Sequence, residues 1–322
     1  MFESALAPRV SVLMPVFNTA RYLGEALESI SAQTFGDFEL IVVDDGSNDG
    51  SSRILEQFAV RERRMRLITR ENRGLIASRN ELLAAGRGEL LAWMDSDDSS
   101  LPDRLARQVE AFSNDSGLAC LGTSAQCIDP DGKYLKIERW PTDPEQILID
   151  QQAGGAMRFP TTMMRRDAAM RVGGFREPFK IGEDFDFLLR LSQYGRMSNL
   201  PHVLYLYRQH VASVCATLGP HWPLYRDRIL ELARERQQRG RDRLEEGGSV
   251  LIEVIANANR EELERQVYRG WAEQALDNGD FALAMKYARA TVMRRLFSMP
   301  EWKLLCRIAL KGGSAMLKRK EH

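Results

Sequence analysis

The hydrophobic positions fall into short continuous runs separated by amphipathic stretches. Val10–Val16 and Phe38–Val43 are apolar at almost every position, the mark of strands buried on both faces. Glu89–Met94 reads the same way, and Met65–Thr69 as a shorter strand. Between them, Ala20–Gln33, Ser51–Arg61 and Leu75–Ala85 repeat apolar residues at helical spacing. Strands alternating with helices predict a doubly covered, mostly parallel sheet, an α/β fold. Right-handed crossovers then bring the strand ends to one edge.

Beyond Pro102 the pattern predicts a helix over Asp103–Phe112 and a strand over Leu118–Cys127. Asp129-Pro130-Asp131-Gly132 is a turn signal, so Ala119–Ile128 and Lys133–Ile137 read as a hairpin. Gln151–Phe159 reads as a Gly-containing loop and Thr161–Arg165 as a strand. Glu183–Tyr194 reads as a helix, with Phe185, Leu188, Leu189 and Leu191 on or near one face. The character changes near Gly219-Pro220. This implies a first domain over 1–219, with halves at about 9–128 and 129–219, and a helical region over 220–322. Within the latter, the charged stretch Arg234–Glu246 reads as an exposed helix or a linker. Trp271–Met299 reads as a helical hairpin turning at Asp277-Asn278-Gly279-Asp280. It resembles one tetratricopeptide unit through Trp271, Ala275, Gly279, Phe281, Ala284, Ala288 and Pro300. One unit is too few for a solenoid, so it reads as a helical cap.

Composition narrows the function more than the fold. At 322 residues the chain holds one large domain with an appendage, or two domains. Its formal net charge is zero, which argues against a general nucleic-acid binder. The balance is uneven: from residue 220 onward there are 20 Lys and Arg against 15 Asp and Glu, an excess the earlier residues cancel. The four cysteines, Cys120, Cys127, Cys215 and Cys306, lack C-x-x-C spacing and read as reduced thiols of a cytoplasmic protein. Met1–Pro8 lacks the pattern of a signal peptide, and no apolar run approaches the ~18 residues of a membrane span.

The candidate chemistry begins at Asp95-Ser96-Asp97-Asp98, just after the run Glu89–Met94. Clustered carboxylates at a buried strand's mouth are costly without a positive partner. In open α/β sheets ligands bind outside the carboxyl ends of strands. A divalent cation holding a diphosphate fits, because hard cations take carboxylate and phosphate oxygens. The same residues also read as a solvated turn or helix cap, with Pro102 opening a helix. Asp44-Asp45-Gly46-Ser47 ends the second strand, where a carboxylate can accept a nucleobase N–H. Arg79 follows the loop Glu71–Gly74 on a helix, where it either meets a phosphate or base or simply faces solvent. Glu183-Asp184 opens a helix beside the Gly173-Gly174 loop, so these carboxylates serve either the helix dipole or proton transfer. His210 lies in Tyr207-Arg208-Gln209-His210, after a short apolar strand.

In this order the motifs resemble the family 2 glycosyltransferases, inverting nucleotide-sugar-dependent enzymes of the GT-A fold. The resemblance runs from about Arg9 to Ser213. It rests on Val10–Asn18, Ser31-Ala32-Gln33-Thr34, Val43–Ser47, Asn72-Arg73-Gly74, Ser78-Arg79-Asn80, Asp95-Ser96-Asp97-Asp98, Pro102, Gly173-Gly174-Phe175, Glu183-Asp184 and Tyr207-Arg208-x-His210. It implies a Rossmann-like GT-A domain with a C-terminal all-helical appendage. Asp45 would read a uracil-type base, with Pro15 and Phe17 lining the base pocket. Asp95 and Asp97 match the family's D-x-D: the first faces the ribose or a metal-bound water, the second binds Mn²⁺ or Mg²⁺, and Asp98 supplements it. Arg79 would lie near the base or diphosphate. Asp184 matches the catalytic base, and His210 falls where many such enzymes place a late histidine on the metal or diphosphate.

The departures also carry meaning. Processive members have a Q-x-x-R-W motif and membrane helices, whereas Gln193-Tyr194-Gly195-Arg196-Met197 is a near miss. The expectation is a non-processive enzyme acting on a glycan, polysaccharide or lipid-linked oligosaccharide, with a UDP-sugar as donor. Trp302-Lys303-Leu304-Leu305 and Lys318-Arg319-Lys320 offer the tail a peripheral contact with the inner membrane face. The oligomeric state is left open. Two rival readings are a nucleotidyltransferase and a non-catalytic interaction protein built on the C-terminal helices. The first lacks a Gly-rich triphosphate loop at Val16–Ala20, and the second has no use for an intact acidic set.

Overall fold

A computed structural model describes residues 7–252, 260–295 and 298–318. The first half runs β1 (Val10–Val16), α1 (Ala20–Ser31), β2 (Phe38–Asp44), α2 (Ser51–Arg61), β3 (Met65–Thr69), α3 (Leu75–Ala85) and β4 (Leu90–Trp93). It continues with β5 (Ser99–Ser100), α4 (Arg104–Asn114), β6 (Leu118–Ile128), β7 (Tyr134–Glu138), α5 (Pro144–Ala153), β8 (Met163–Arg165), α6 (Arg166–Val172), α7 (Glu183–Leu191) and β9 (Arg196–Arg208). Helices α8 (Val214–Leu218), α9 (Trp222–Arg239), α10 (Arg260–Asp277), α11 (Phe281–Arg294) and α12 (Met299–Lys318) complete it. Among the described residues, no helix is long and apolar enough to cross a membrane.

The strands form one mixed sheet in the order β3-β2-β1-β4-β8-β6-β9-β5, with β7 beside β6. Pairing is parallel from β3 through β4 and antiparallel where β8 meets β4 and β6 and where β5 meets β9. Two apolar cores explain the uninterrupted hydrophobic runs. Val12, Met14, Leu40 and Val42 face one core with α1, α2 and α4. Their neighbours Leu13, Ile41 and Val43 face the other, with α3, α6 and α7. Successive side chains of a strand point to opposite faces, so a strand covered on both sides is apolar throughout.

The structure departs from the sequence reading in three places. Gln151–Ala153 belong to α5, not to a loop, because Asp143 caps that helix by accepting the Gln146 N–H at 2.8 Å and Pro144 opens it. Helix α6 and the two-residue β5 lie in stretches too short for periodicity to register. In the charged stretch Arg234–Glu246, read as an exposed helix or a linker, α9 runs through Arg239 with Arg234 and 237–239 exposed, but Arg236 and Asp242 are buried.

The chain divides into two compact units that interleave in sequence. The first comprises residues up to 126, 137–207 and 223–252; the second comprises 127–136, 208–222 and 253 onward. The first unit therefore draws residues from both sides of the 219/220 change in composition. Within the second unit, α10 and α11 form an antiparallel hairpin with the turn 127–136. The Tyr287 hydroxyl donates to the buried Asp129 carboxylate, and Lys286 Nζ lies 2.9 Å from Asp131 Oδ2. Arg319 and Lys320, part of the expected basic patch, lie outside the described residues.

Candidate active site

The sheet's parallel half sets out the site. At the ends of β1 and β2 the chain turns twice, and the turns are stitched together. The Asp45 N–H donates to Val16 O at 2.9 Å. Asn18 donates its backbone N–H to Ser47 Oγ at 3.0 Å and accepts the Asn48 N–H at 2.8 Å. Pro15 pairs with Val43 inside the sheet, while the Phe17 ring beyond it is 48% exposed. Pro15, Phe17 and Asp45 thus come together.

Asp45 is buried and already engaged. Its Oδ1 accepts the Arg73 N–H at 2.9 Å and pairs with Arg70 at 2.8 Å; its Oδ2 accepts the Gly74 N–H at 2.8 Å. A carboxylate has about four lone-pair directions, and these contacts occupy three of them. The following Gly46 has φ +75°, and a Cβ there would lie 2.8 Å from Asn72 N. Only glycine lets the two loops close so tightly.

Past β4, the carboxylates of Asp95, Asp97 and Asp98 lie with one oxygen each within 4.8 Å of one another. A buried floor supports them. Arg104 donates to Trp93 O at 2.7 Å, Ser100 Oγ at 2.9 Å and Gln108 Oε1 at 3.2 Å, with its guanidinium 5.0 Å from the Tyr205 ring centroid. The Tyr205 hydroxyl accepts the Asp95 N–H at 3.2 Å. Burial lowers Arg104 to about 10, but the charges of Asp98 and Asp95 help to hold it protonated. Burial, with those same two carboxylates, pushes the Tyr205 phenol well above its ordinary value.

Opposite the floor stands Arg79, 2.5 Å from Glu183 and 3.9 Å from Asp95. Its guanidinium carbon lies 4.7 Å from the Phe159 ring centroid and 5.6 Å from that of Phe175. Phe159 and Phe175 in turn pack with Trp93 and Phe187, Phe175 and Phe187 being stacked at 4.4 Å. This aromatic group ties the end of β4 to the start of α7. Burial pushes Glu183 up to about 7, with Arg79 opposing and Asp184 and Asp95 reinforcing the shift. Asp95, whose side chain keeps 30% exposure, is raised as well: burial leads, Arg79 opposes, and Asp97 and Asp184 add to it. Asp184 is half-buried at the first turn of α7, and its charge acts on both.

The structure thus brings Arg79, Asp95, Asp97, Asp98 and Asp184 together in the first unit. His210 belongs to the second unit, just past β9, and the three-carboxylate cluster forms without it. Sequence reading missed the supporting residues Arg104, Tyr205, Phe159 and Arg158, the last of which lowers the Asp95 carboxyl electrostatically. Arg104 carried a signal: it shares the apolar stripe of α4 with Leu105 and Phe112, where a charge is out of place. The other three lie on segments that meet the site only through tertiary folding.

The profile of Glycosyl transferase family 2 matches residues 11–173. The putative glycosyltransferase EpsE of Bacillus subtilis is 35% identical over 208 residues, covering 63% of this chain and 73% of that protein. The chondroitin synthase of Escherichia coli is 30% identical over 199 residues, covering 62% of this chain but only 28% of the synthase. Among solved structures, S. aureus TarS 1-349 in complex with UDP-GlcNAc superposes with a TM-score of 0.59 at 18% identity, covering 94% of this chain and 88% of that one. The fold is therefore shared with that protein, and by its sequence the chain belongs to glycosyl transferase family 2.

Proposed function

We propose that this chain transfers a single sugar, with inversion, from a nucleotide-sugar donor to an acceptor hydroxyl. The donor is a UDP-sugar and the acceptor a glycan, polysaccharide or lipid-linked oligosaccharide. The carrying observation is the carboxylate cluster Asp95–Asp97–Asp98 set beside Asp184. Such a surplus of carboxylates suits a hard divalent cation, Mn²⁺ or Mg²⁺, held by Asp97 and Asp98. A cation held there would supply charge neutralisation on the departing nucleoside diphosphate. UDP-GlcNAc in the structurally similar TarS supports the donor class.

The remaining roles follow from burial and reach. The exposed Phe17 ring and Pro15 wall the base, and Asp45 accepts its N–H. Asp95 faces the ribose. Of the two carboxylates opening α7, Glu183 is 4% exposed and committed to Arg79, while Asp184 is accessible. Asp184 is therefore the base. It takes the acceptor proton as the acceptor oxygen bonds to the anomeric carbon, and the carbon–oxygen bond to the diphosphate breaks with its electron pair leaving on the diphosphate.

The test is release of nucleoside diphosphate from nucleotide sugars, screened with and without Mn²⁺. Asp184→Asn should lower transfer by about 10²–10⁴-fold. Unchanged transfer in that variant removes Asp184 from the mechanism. Peripheral membrane contact rests on α12, where Trp302 is 44% and Leu310 74% exposed, and on the basic residues that follow. Co-sedimentation with anionic vesicles is expected, and a protein that stays in the supernatant rules the contact out.

A further inference from the structure

Behind α7 lies a second charged cluster, whose two carboxylates are closed to solvent. Asp186, two residues past Asp184, and Asp242, past the end of α9, are both fully buried. Arg176 bridges them, with Nε 2.9 Å from Asp186 Oδ2 and Nη1 2.7 Å from Asp242 Oδ2. Arg190 donates to Asp186 Oδ2 at 3.0 and 2.8 Å and to the carbonyls of Val172 and Gly174, both at 2.7 Å. It thereby grips the Gly173-Gly174 turn, whose residues have φ +81° and +95°. Phe175, the next residue, stacks on Phe187 and lies under Arg79.

Asp242 is engaged on both oxygens. Oδ1 accepts the N–H groups of Leu244 at 2.9 Å and Glu245 at 3.0 Å, and Oδ2 also accepts from Arg236. The Nε and Nη2 of the buried Arg236 find no acceptor among the described residues. Asp242 and Asp186 thus face three guanidiniums, so neither carboxylate is dispensable. Breaking a buried pair by removing one partner is far costlier than breaking a surface one. Burial works to raise the Asp242 carboxyl, but the Arg176 hydrogen bond and charge, then the Glu245 N–H and Arg236, outweigh it and hold it low.

We propose that Asp242 is a positioning residue for transfer: through Arg176 and Asp186 it sets the start of α7, and with it Asp184. This rests on the reading of Asp184 as the base. The residue lies well outside the stretch matched by the family profile. The physical route is short: Asp242 holds Arg176, Arg176 holds Asp186, and α7 carries Asp186 and Asp184 half a turn apart. The same grip fixes the loop that places Phe175 against Arg79, so losing it disturbs the site from two sides.

The experiment uses the full chain with Asp242→Asn. kcat for transfer should fall by about tenfold or more, since displacements near 1 Å cost on the order of a hundredfold. The KM for nucleotide sugar and the thermal shift produced by UDP with Mn²⁺ should stay within about twofold, because the proposed donor contacts Pro15, Phe17, Asp45 and Asp97 lie at or just past the ends of β1, β2 and β4. Amide hydrogen exchange should quicken across 173–191 and not in β1 or β2. Parent-like kcat together with parent-like exchange overturns the proposal. So does a fall in kcat matched by an equal loss of the UDP response, the signature of general unfolding. Should Asp242→Asn fail to fold, Arg176→Lys keeps the charge but cannot bridge both carboxylates, and parent-like kcat there overturns the proposal equally. A parent protein that turns over no nucleotide sugar refutes the functional reading alone; hydrogen exchange, which needs no substrate, still decides the inference.

Discussion

Two charge clusters flank α7, and they respond to burial in opposite ways. Around Asp95, Asp97 and Asp98 the carboxylates outnumber their cations, and Asp95 and Glu183 are pushed up. Around Asp186 and Asp242 three guanidiniums face two carboxylates, and Asp242 is held low although its side chain is fully buried. Burial alone therefore does not decide the sign; the ratio of donors to carboxylates does. A surplus of carboxylate at an open mouth calls for a cation from outside. A surplus of guanidinium in a buried cluster is structural, and what it holds is α7, the helix that opens with Glu183 and Asp184.

Removing a carboxylate from the open cluster tests this contrast most severely. Asp97→Ala, or EDTA added to the parent protein, should cut transfer on the order of a thousandfold, from several kcal/mol of charge stabilisation at 1.36 kcal/mol per tenfold. Stability in urea should barely change. A large stability loss with activity retained makes the open cluster structural and erases the distinction.

Next in size is Arg79→Met, which leaves the buried Glu183 without its 2.5 Å partner. Loss of one member of a buried pair costs about 3–5 kcal/mol, whereas replacing both with apolar residues is close to neutral. Equilibrium unfolding should show that loss in Arg79→Met and recovery of most of it in Arg79→Met with Glu183→Leu. A single variant as stable as the parent shows that Arg79 is a ligand-binding group only.

The smallest effect is the most discriminating, because the two clusters should titrate in opposite senses. The Asp242 carboxyl is lowered on folding, so its stabilisation is complete above the unfolded value near 3.9 and fades as pH falls below it. The stability gap between parent and Asp242→Asn should shrink between pH 6 and pH 2.5. Glu183 is raised to about 7, so its contribution is present below about 4.3 and is lost as pH rises through 7. Urea titrations at several pH values read both trends, and parallel trends in the two clusters refute the comparison.

Much of the first unit's framework was legible in one dimension. The spans of β1, α2, β3 and α3 follow directly from apolar runs and helical spacing. Asp45, Asp95, Asp97, Asp98 and Asp184 stand out because each ends a strand or opens a helix, where side chains meet the sheet's edge. Within Arg234–Glu246 such reading finds the exposed helix but not its two buried charges, Arg236 and Asp242. Its charge density resembles a solvated face, yet Asp242 is buried because Arg176 and Arg236 close over it.

Sequence by itself determined the β–α order, the two-sided burial of the strands and which carboxylates crowd one edge, since these depend on the local periods of side-chain direction. Tertiary structure alone decided which cations meet which carboxylates. Arg79 is 104 residues from Glu183, and Arg176 is 66 from Asp242. An ion pair's strength depends on separation and local dielectric, and neither quantity exists until the chain has folded.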